Sequence, residues 1–155
     1  MSETSASFQW TTQEGEVIMP TMLPPEQTLD GTLGVQVQSA TTEEVVCFVD
    51  IDHRHQQPFG LLHGGVYALV AESAASIGGA LTAIPKGGGA VGMSNNTAFL
   101  RPFSGKGRLT STARRIHGGR TTQLWDIEHR DDRDRLCASS RVTIALLPPQ
   151  IDARD

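Results

Sequence analysis

The stretch GLLHGGVYALVAESAASIGGALTA, residues 60–83, decides the fold. A Pro-Phe-Gly turn at 58–60 leads into it, and Pro85 and Gly87-Gly88-Gly89 close it, so the spacing predicts one long helix over residues 64–83. Val66, Leu69, Val70, Ile77 and Leu81 supply its bulk. Ala68, Ala71, Ala74, Ala75, Gly78, Gly79 and Ala80 fill the remaining faces. A helix that is apolar or small nearly all round is expected to be enclosed by other structure rather than laid on a surface. The interruption by Glu72 and the wealth of Gly, Ser and Ala suit a buried helix of a soluble protein better than a membrane span.

Outside this stretch the hydrophobic period changes to two. Upstream, Val35 and Val37 alternate with Gln36 and Gln38, and Val45, Cys47, Val49 and Ile51 form one face of a second strand. Downstream, strands are expected at 90–103, 108–117, 121–130 and 136–147, with a hairpin turn at Asp131 to Asp134. The order is two strands, a helix and four strands, with no second helix to carry a parallel crossover. The expectation is therefore an α+β fold, an antiparallel sheet wrapped around one long central helix. Residues 1–25, polar and with Pro20, Pro24 and Pro25 late in the run, read as a flexible N-terminal arm; residues 26–150 read as one domain. At 155 residues such a domain buries a core without disulfide or metal staples.

The net charge of -4 argues against a general nucleic-acid binder. Arg101, Lys106, Arg108, Arg114, Arg115 and Arg120 nevertheless cluster in sequence, as if to hold a small anion. The two cysteines, Cys47 and Cys137, sit in apolar strand contexts and are expected to be buried free thiols. Met1 to Gly15 lacks the apolar run of a signal or anchor, which places the protein in the cytoplasm, without a membrane partner. His53 and His55 have no third ligand nearby and read as exposed loop residues, and Gly87, Gly89 and Gly92 follow a helix instead of a strand, the reverse of a dinucleotide-binding turn.

Glu72 is the only acid or base between His63 and Lys86, on a helix of apolar and small neighbours. A lone buried carboxylate needs a partner or a raised pKa, and both conditions are common in active sites. The alternative is a solvent-facing or salt-bridged glutamate. His63-Gly64-Gly65 opens the helix, where the first backbone N–H groups lack intrahelical acceptors and the dipole is positive; a carbonyl oxygen on the Gly64 N–H would be stabilised as it gains charge. Gly64 and Glu72 are eight residues apart, about 12 Å along one helix. A single carbonyl carbon cannot meet both groups of one chain. If both act on it they come from two subunits, which makes the protein an obligate dimer with shared sites.

The run Gly60 to Tyr67 with Glu72 resembles the hot-dog-fold thioesterases, and more closely the 4-hydroxybenzoyl-CoA thioesterase branch, which carries a Glu on the central helix. The resemblance extends through Glu26-Gln27-Thr28-Leu29-Asp30-Gly31-Thr32, Ala90-Val91-Gly92, Ser94-Asn95, Arg101-Pro102, Arg115-Ile116-His117, Thr121-Thr122, Trp125-Asp126 and Arg130-Asp131-Asp132. It implies a thioesterase that hydrolyses an acyl-CoA, aromatic as in 4-hydroxybenzoyl-CoA or phenylacetyl-CoA, or related to these. Glu72 would be nucleophile or general base, Gly64 the oxyanion donor, and Gln57, His63 and Ser76 supporting groups. Arg101, Arg120 and Thr121 would grip CoA, which is part of the substrate; no metal or other cofactor is implied. A homotetramer built as a dimer of dimers is also implied. Two departures stand out: Arg120 replaces a Ser of that branch, and its C-terminal arginine has no match in Pro148-Pro149-Gln150. The rival readings are a hot-dog 3-hydroxyacyl dehydratase using His55 with Glu72, and a non-catalytic acyl-CoA-binding module.

Overall fold

The structure is a computed structural model that describes residues 9–12, 15–18, 23–104 and 106–149. The element order is β1 (Gln9–Thr12), β2 (Gly15–Ile18), α1 (Leu29–Thr32), β3 (Gln36–Ala40), β4 (Glu44–Ile51), α2 (Gly64–Ala83), β5 (Gly89–Phe99), β6 (Gly107–Gly118), β7 (Thr122–Arg130) and β8 (Leu136–Leu147). β3 to β8 form one antiparallel sheet in the order β3-β4-β6-β7-β8-β5, and α2 lies against its inner face. The expected helix limits match α2. Of the 1–25 stretch, β1 and β2 pair as a short hairpin; residues 1–8, 13–14 and 19–22 fall outside the described residues, as does Gln150.

Strand alternation sets which side chains reach the helix. On β4 the buried set is Val45, Cys47, Val49 and Ile51, and on β7 it is Gln123, Trp125, Ile127 and His129. These pack on Val66, Val70, Ala74 and Leu81 of α2. Both cysteines are buried free thiols, and burial, with Asp30 adding to it, pushes Cys47 up to about 12. Gly78 and Gly79 let the helix sit this close. A Cβ on Gly78 would stand 2.2 Å from Cη2 of the fully buried Trp125. Replacing Gly78 by Ala is expected to lower stability by about 3 kcal/mol, since overpacking a dense core outweighs the small gain in helix propensity. A thermal melt should fall by roughly 10 °C, while Gly89→Ala, whose Cβ meets only Leu147 Cδ1 at 4.0 Å, should melt near wild type.

Buried polar groups on β7 are satisfied in chains. Trp125 Nε1 donates to Gln123 Oε1, Gln123 Nε2 donates to Thr82 Oγ1, and Thr82 Oγ1 donates to the Gly78 carbonyl. His129 is wedged between Ser111 Oγ at 2.7 Å and Ser140 Oγ at 2.9 Å, and burial lowers its pKa to about 3, so it is neutral at physiological pH.

The outer face of the sheet carries charges in register. Glu44, Arg114, Asp126 and Arg141 lie side by side across β4, β6, β7 and β8, alternating in sign, with Arg114 2.9 Å from Glu44 and Arg141 2.7 Å from Asp126. Arg108 pairs with Asp50 and lies over the Phe48 ring, and Arg115 pairs with Glu43. The basic cluster read from the sequence is therefore not one patch. Among the described residues only Arg101, Lys106 and Arg120 of that group make no ion pair.

Candidate active site

Among the described residues, α2 is packed on one side only. Leu69, Glu72, Ser73, Ser76, Ile77 and Ala80 face a groove of about 670 Å³, closed on one flank by Thr28, Leu29 and Asp30. The expectation of a helix enclosed all round is thus corrected for the single chain, and Glu72 is exposed rather than buried. Ala, Gly and Ser are small enough for either side, so they gave no contrast between the packed and open faces. The α1 turn that forms the flank is capped by Thr28, whose Oγ1 accepts from the Gly31 N–H, and is tied to α2 by Ser73 Oγ donating to Asp30 Oδ1 at 2.7 Å.

The Glu72 carboxylate makes no hydrogen bond or ion pair among the described residues. It lies against β5 where a Cβ on Gly92 would be 2.8 Å from Oε1. Pairing of β5 with β8 slips between Gly92 and Ser94, so a bulge falls beside the carboxylate. Gly92 is a neighbour of the candidate carboxylate that sequence reasoning missed; an isolated glycine within a strand pattern was its signal. Ser76 stands one turn further along the same groove.

The helix start forms a separate cleft of about 370 Å³, with Gln57, Leu61, Gly64, Tyr67, Phe99 and Arg101 in its walls. His63 is the N-cap: its Nδ1 accepts from the Gly65 N–H at 2.8 Å and its carbonyl from the Val66 N–H. The Gly64 N–H is left without an acceptor among the described residues. It is therefore a free donor at the positive end of a 20-residue helix. Gln57 Oε1 accepts from the Phe59 N–H, which leaves its amide N–H groups available to donate.

The sequence-derived residues are thus divided between clefts. Glu72 and Ser76 share one, while Gln57, Gly64 and Arg101 share another. Arg120 and Thr121 line a third cleft, beyond the C-terminal end of α2, with Pro148 and Pro149 in its wall. Lys86, which sequence reasoning did not single out, joins Arg120 there. His55 departs from the expected exposed loop: it is 1% exposed. Its Nδ1 accepts from the Asp52 N–H, which fixes the proton on Nε2, and Nε2 donates to the Leu33 carbonyl. Both nitrogens hold backbone in place, so His55 is not a free base for a dehydratase.

A six-stranded antiparallel sheet packed on one long helix is the hot-dog fold. The chain belongs to the thioesterase superfamily, whose pattern matches residues 59–138. It is 37% identical over 118 residues to a 1,4-dihydroxy-2-naphthoyl-CoA hydrolase of Listeria monocytogenes, covering 76% of this chain and 94% of that one. The 1,4-dihydroxy-2-naphthoyl-CoA hydrolase of Escherichia coli is 34% identical over 122 residues, covering 79% and 88%. A thioesterase crystal structure from Haemophilus influenzae superposes with a TM-score of 0.76 at 32% identity, covering 83% of this chain and 88% of the other. The protein is a thioester hydrolase.

Proposed function

We propose that the substrate is an acyl-CoA with an aromatic acyl group, of the 4-hydroxybenzoyl or phenylacetyl kind or a larger aryl analogue, and that each active site is shared by two subunits. The observation that carries this reading is the separation of the free Gly64 N–H and the Glu72 carboxylate into different clefts of one chain. Bringing the partner subunit's Gly64 to Glu72 lets one thioester carbon meet both. The thioester oxygen accepts from that N–H, and Glu72 attacks the carbonyl carbon or takes a proton from an attacking water. The tetrahedral intermediate then collapses with loss of the CoA thiol, leaving the free acid. Gln57 and Ser76 supply polar groups beside the carbonyl, and His63 holds the helix start in place. This chemistry needs no metal or redox cofactor.

Dimer formation is supported by β5. It is an edge strand of 11 residues, paired on one side only among the described residues, and it exposes Val91, Met93 and Phe99 next to the α2 groove. An open, apolar edge beside an open helix face is a surface made to be covered. Pairing of dimers into a tetramer is the further assembly in this reading. Arg101 at the helix-start cleft, and Arg120 with Thr121 at the helix end, are placed to hold the phosphates and nucleotide of CoA, and Lys86 adds a second cation beside Arg120 where the branch's C-terminal arginine is missing. α2 is long and apolar enough to cross a membrane by length and composition alone, but its apolar face is packed under the sheet; the reading is of a soluble, cytoplasmic enzyme.

The test is thiol release from a panel of benzoyl-, arylacetyl- and straight-chain acyl-CoAs. The aryl thioesters are expected to give at least about tenfold higher kcat/KM than straight chains of similar size, as one well-filled pocket discriminates by ~1–3 kcal/mol. Equal rates across the panel would refute the aromatic preference.

A further inference from the structure

One hydrogen-bonded chain of side chains crosses four neighbouring strands, from Ser111 on β6 through His129 on β7 and Ser140 on β8 to Thr97 and Asn95 on β5, and its last link leaves the sheet for α2. Asn95 Nδ2 donates to the Ala68 carbonyl at 2.8 Å, and that link fixes the direction of all the others. A carbonyl only accepts, so the Asn95 amide turns its NH2 group to Ala68 and its oxygen to Thr97, whose Oγ1 donates to it at 3.0 Å. Thr97 has no second proton, so across the 2.8 Å contact with Ser140 the donor is Ser140. Ser140 therefore accepts from His129 Nε2–H at 2.9 Å. His129 is neutral, which leaves its Nδ1 bare to accept from Ser111 Oγ at 2.7 Å. Every proton points the same way, toward α2, and bonds aligned in this manner polarise one another.

Ala68 lies one turn before Glu72, so within α2 the same carbonyl takes the Glu72 N–H on its other lone pair. Gly92 of the same strand meets the Glu72 carboxylate itself. β5 thus touches the Glu72 turn at two points, and the bulge between Gly92 and Ser94 makes both possible. Gly92 pairs with Ile144 and Asn95 with Val142, two fully buried positions on the inner face of β8. Without the extra residue Ser94 would face the helix in place of Asn95. Thr97, opposite the buried Ser140, stays on that inner face. Asn95 is exposed and water could satisfy its amide, so burial does not force the bond to Ala68. The bond acts as a constraint on where the turn sits.

Resting on the reading of Glu72 as the carboxylate that attacks or takes a proton, we infer that Asn95 is a positioning residue: it clamps the α2 turn that carries Glu72 to β5, and Thr97, backed by Ser140 and His129, holds the Asn95 amide in its donating orientation. Glu72 makes no hydrogen bond or ion pair of its own among the described residues, so the placing of its backbone aims its carboxylate. A displacement of about 1 Å at a reacting group can cost on the order of 10²-fold in rate.

The experiment measures kcat and KM in Asn95→Ala, Thr97→Val and Thr97→Ser, with the acyl-CoA of the panel above that the wild type hydrolyses fastest, and in parallel the backbone hydrogen exchange of α2. Thr97→Val keeps the shape and removes the hydroxyl that orients Asn95, whereas Thr97→Ser keeps the hydroxyl. Asn95→Ala and Thr97→Val are expected to lower kcat roughly tenfold with KM within about twofold of wild type, and Thr97→Ser to stay within about twofold in both. The Ala68 to Glu72 turn should exchange several-fold faster in the first two variants and at the wild-type rate in Thr97→Ser. An unchanged kcat, a raised KM with kcat kept, or an equal loss in Thr97→Ser and Thr97→Val overturns the positioning role and leaves the hydrolytic reading standing. A wild type that hydrolyses none of the thioesters overturns the hydrolytic reading instead, and exchange alone then decides the clamp: faster exchange in Asn95→Ala and Thr97→Val upholds it. Exchange unchanged in both variants overturns the clamp in either case.

Discussion

Glu72→Gln is expected to lower kcat by roughly 10²–10⁴-fold while leaving acyl-CoA affinity within a few-fold of wild type. The substitution preserves shape and removes only the charge that attacks or deprotonates, and a positioned base contributes on that scale. Glu72 is exposed in the single chain and holds no structural partner among the described residues, so the variant should fold and melt as the wild type does. Stopped turnover with retained binding would separate a catalytic carboxylate from a structural one. It also excludes a module that only binds acyl-CoA, for which no turnover exists to lose. Unchanged kcat would remove Glu72 from the mechanism.

Gly64→Pro is expected to lower kcat by about 10²–10³-fold, the loss typical of deleting one oxyanion donor. Proline is well suited to the first helical position, where it deletes an N–H that the helix itself does not use. The preceding residue, His63, has φ -68 and ψ 133, the extended conformation that a residue before proline adopts. The added ring carbons approach Phe99, since a Cβ on Gly64 would stand 2.7 Å from its Cζ, so crowding there needs its own control. Gly64→Ala places a Cβ at the same point and keeps the N–H, so it should lose less than about tenfold. Equal losses in both variants would assign the effect to crowding and not to the donor.

Much of this architecture can be read from local chemistry. The limits of α2 follow from the His63 cap, Pro85 and the glycines beyond it, and the inward faces of β4, β7 and β8 follow from strict alternation. The features not legible are those where local pattern carries no sign of the partner surface. The α1 turn at Leu29–Thr32 is four residues long, too short for periodicity, though Thr28 as its cap was a usable clue. The open face of α2 was hidden because Ala, Gly and Ser suit buried and exposed positions alike. His55 looked like a loop histidine because its acceptor, the Leu33 carbonyl, is 22 residues away in sequence. The basic cluster dissolved for a similar reason: the cross-strand carboxylates Glu43, Glu44 and Asp50 lie on β4 or just before it, more than 50 residues from the arginines they pair with. Of the candidate site, Glu72 and Gly64 stand out by composition and helix position, and Gly92 carried only the signal of a glycine inside a strand, whereas Lys86 came into view through neighbours remote in sequence.

The shared site is tested most directly by mixing two inactive proteins. Glu72→Gln and Gly64→Pro chains, co-expressed so that subunits pair at random, give half mixed dimers, and each mixed dimer has one site with both groups intact and one with neither. Thiol release is expected to return to about a quarter of the wild-type rate. A mixture as inactive as either variant alone would show that Glu72 and Gly64 act from the same chain or not on one carbonyl at all.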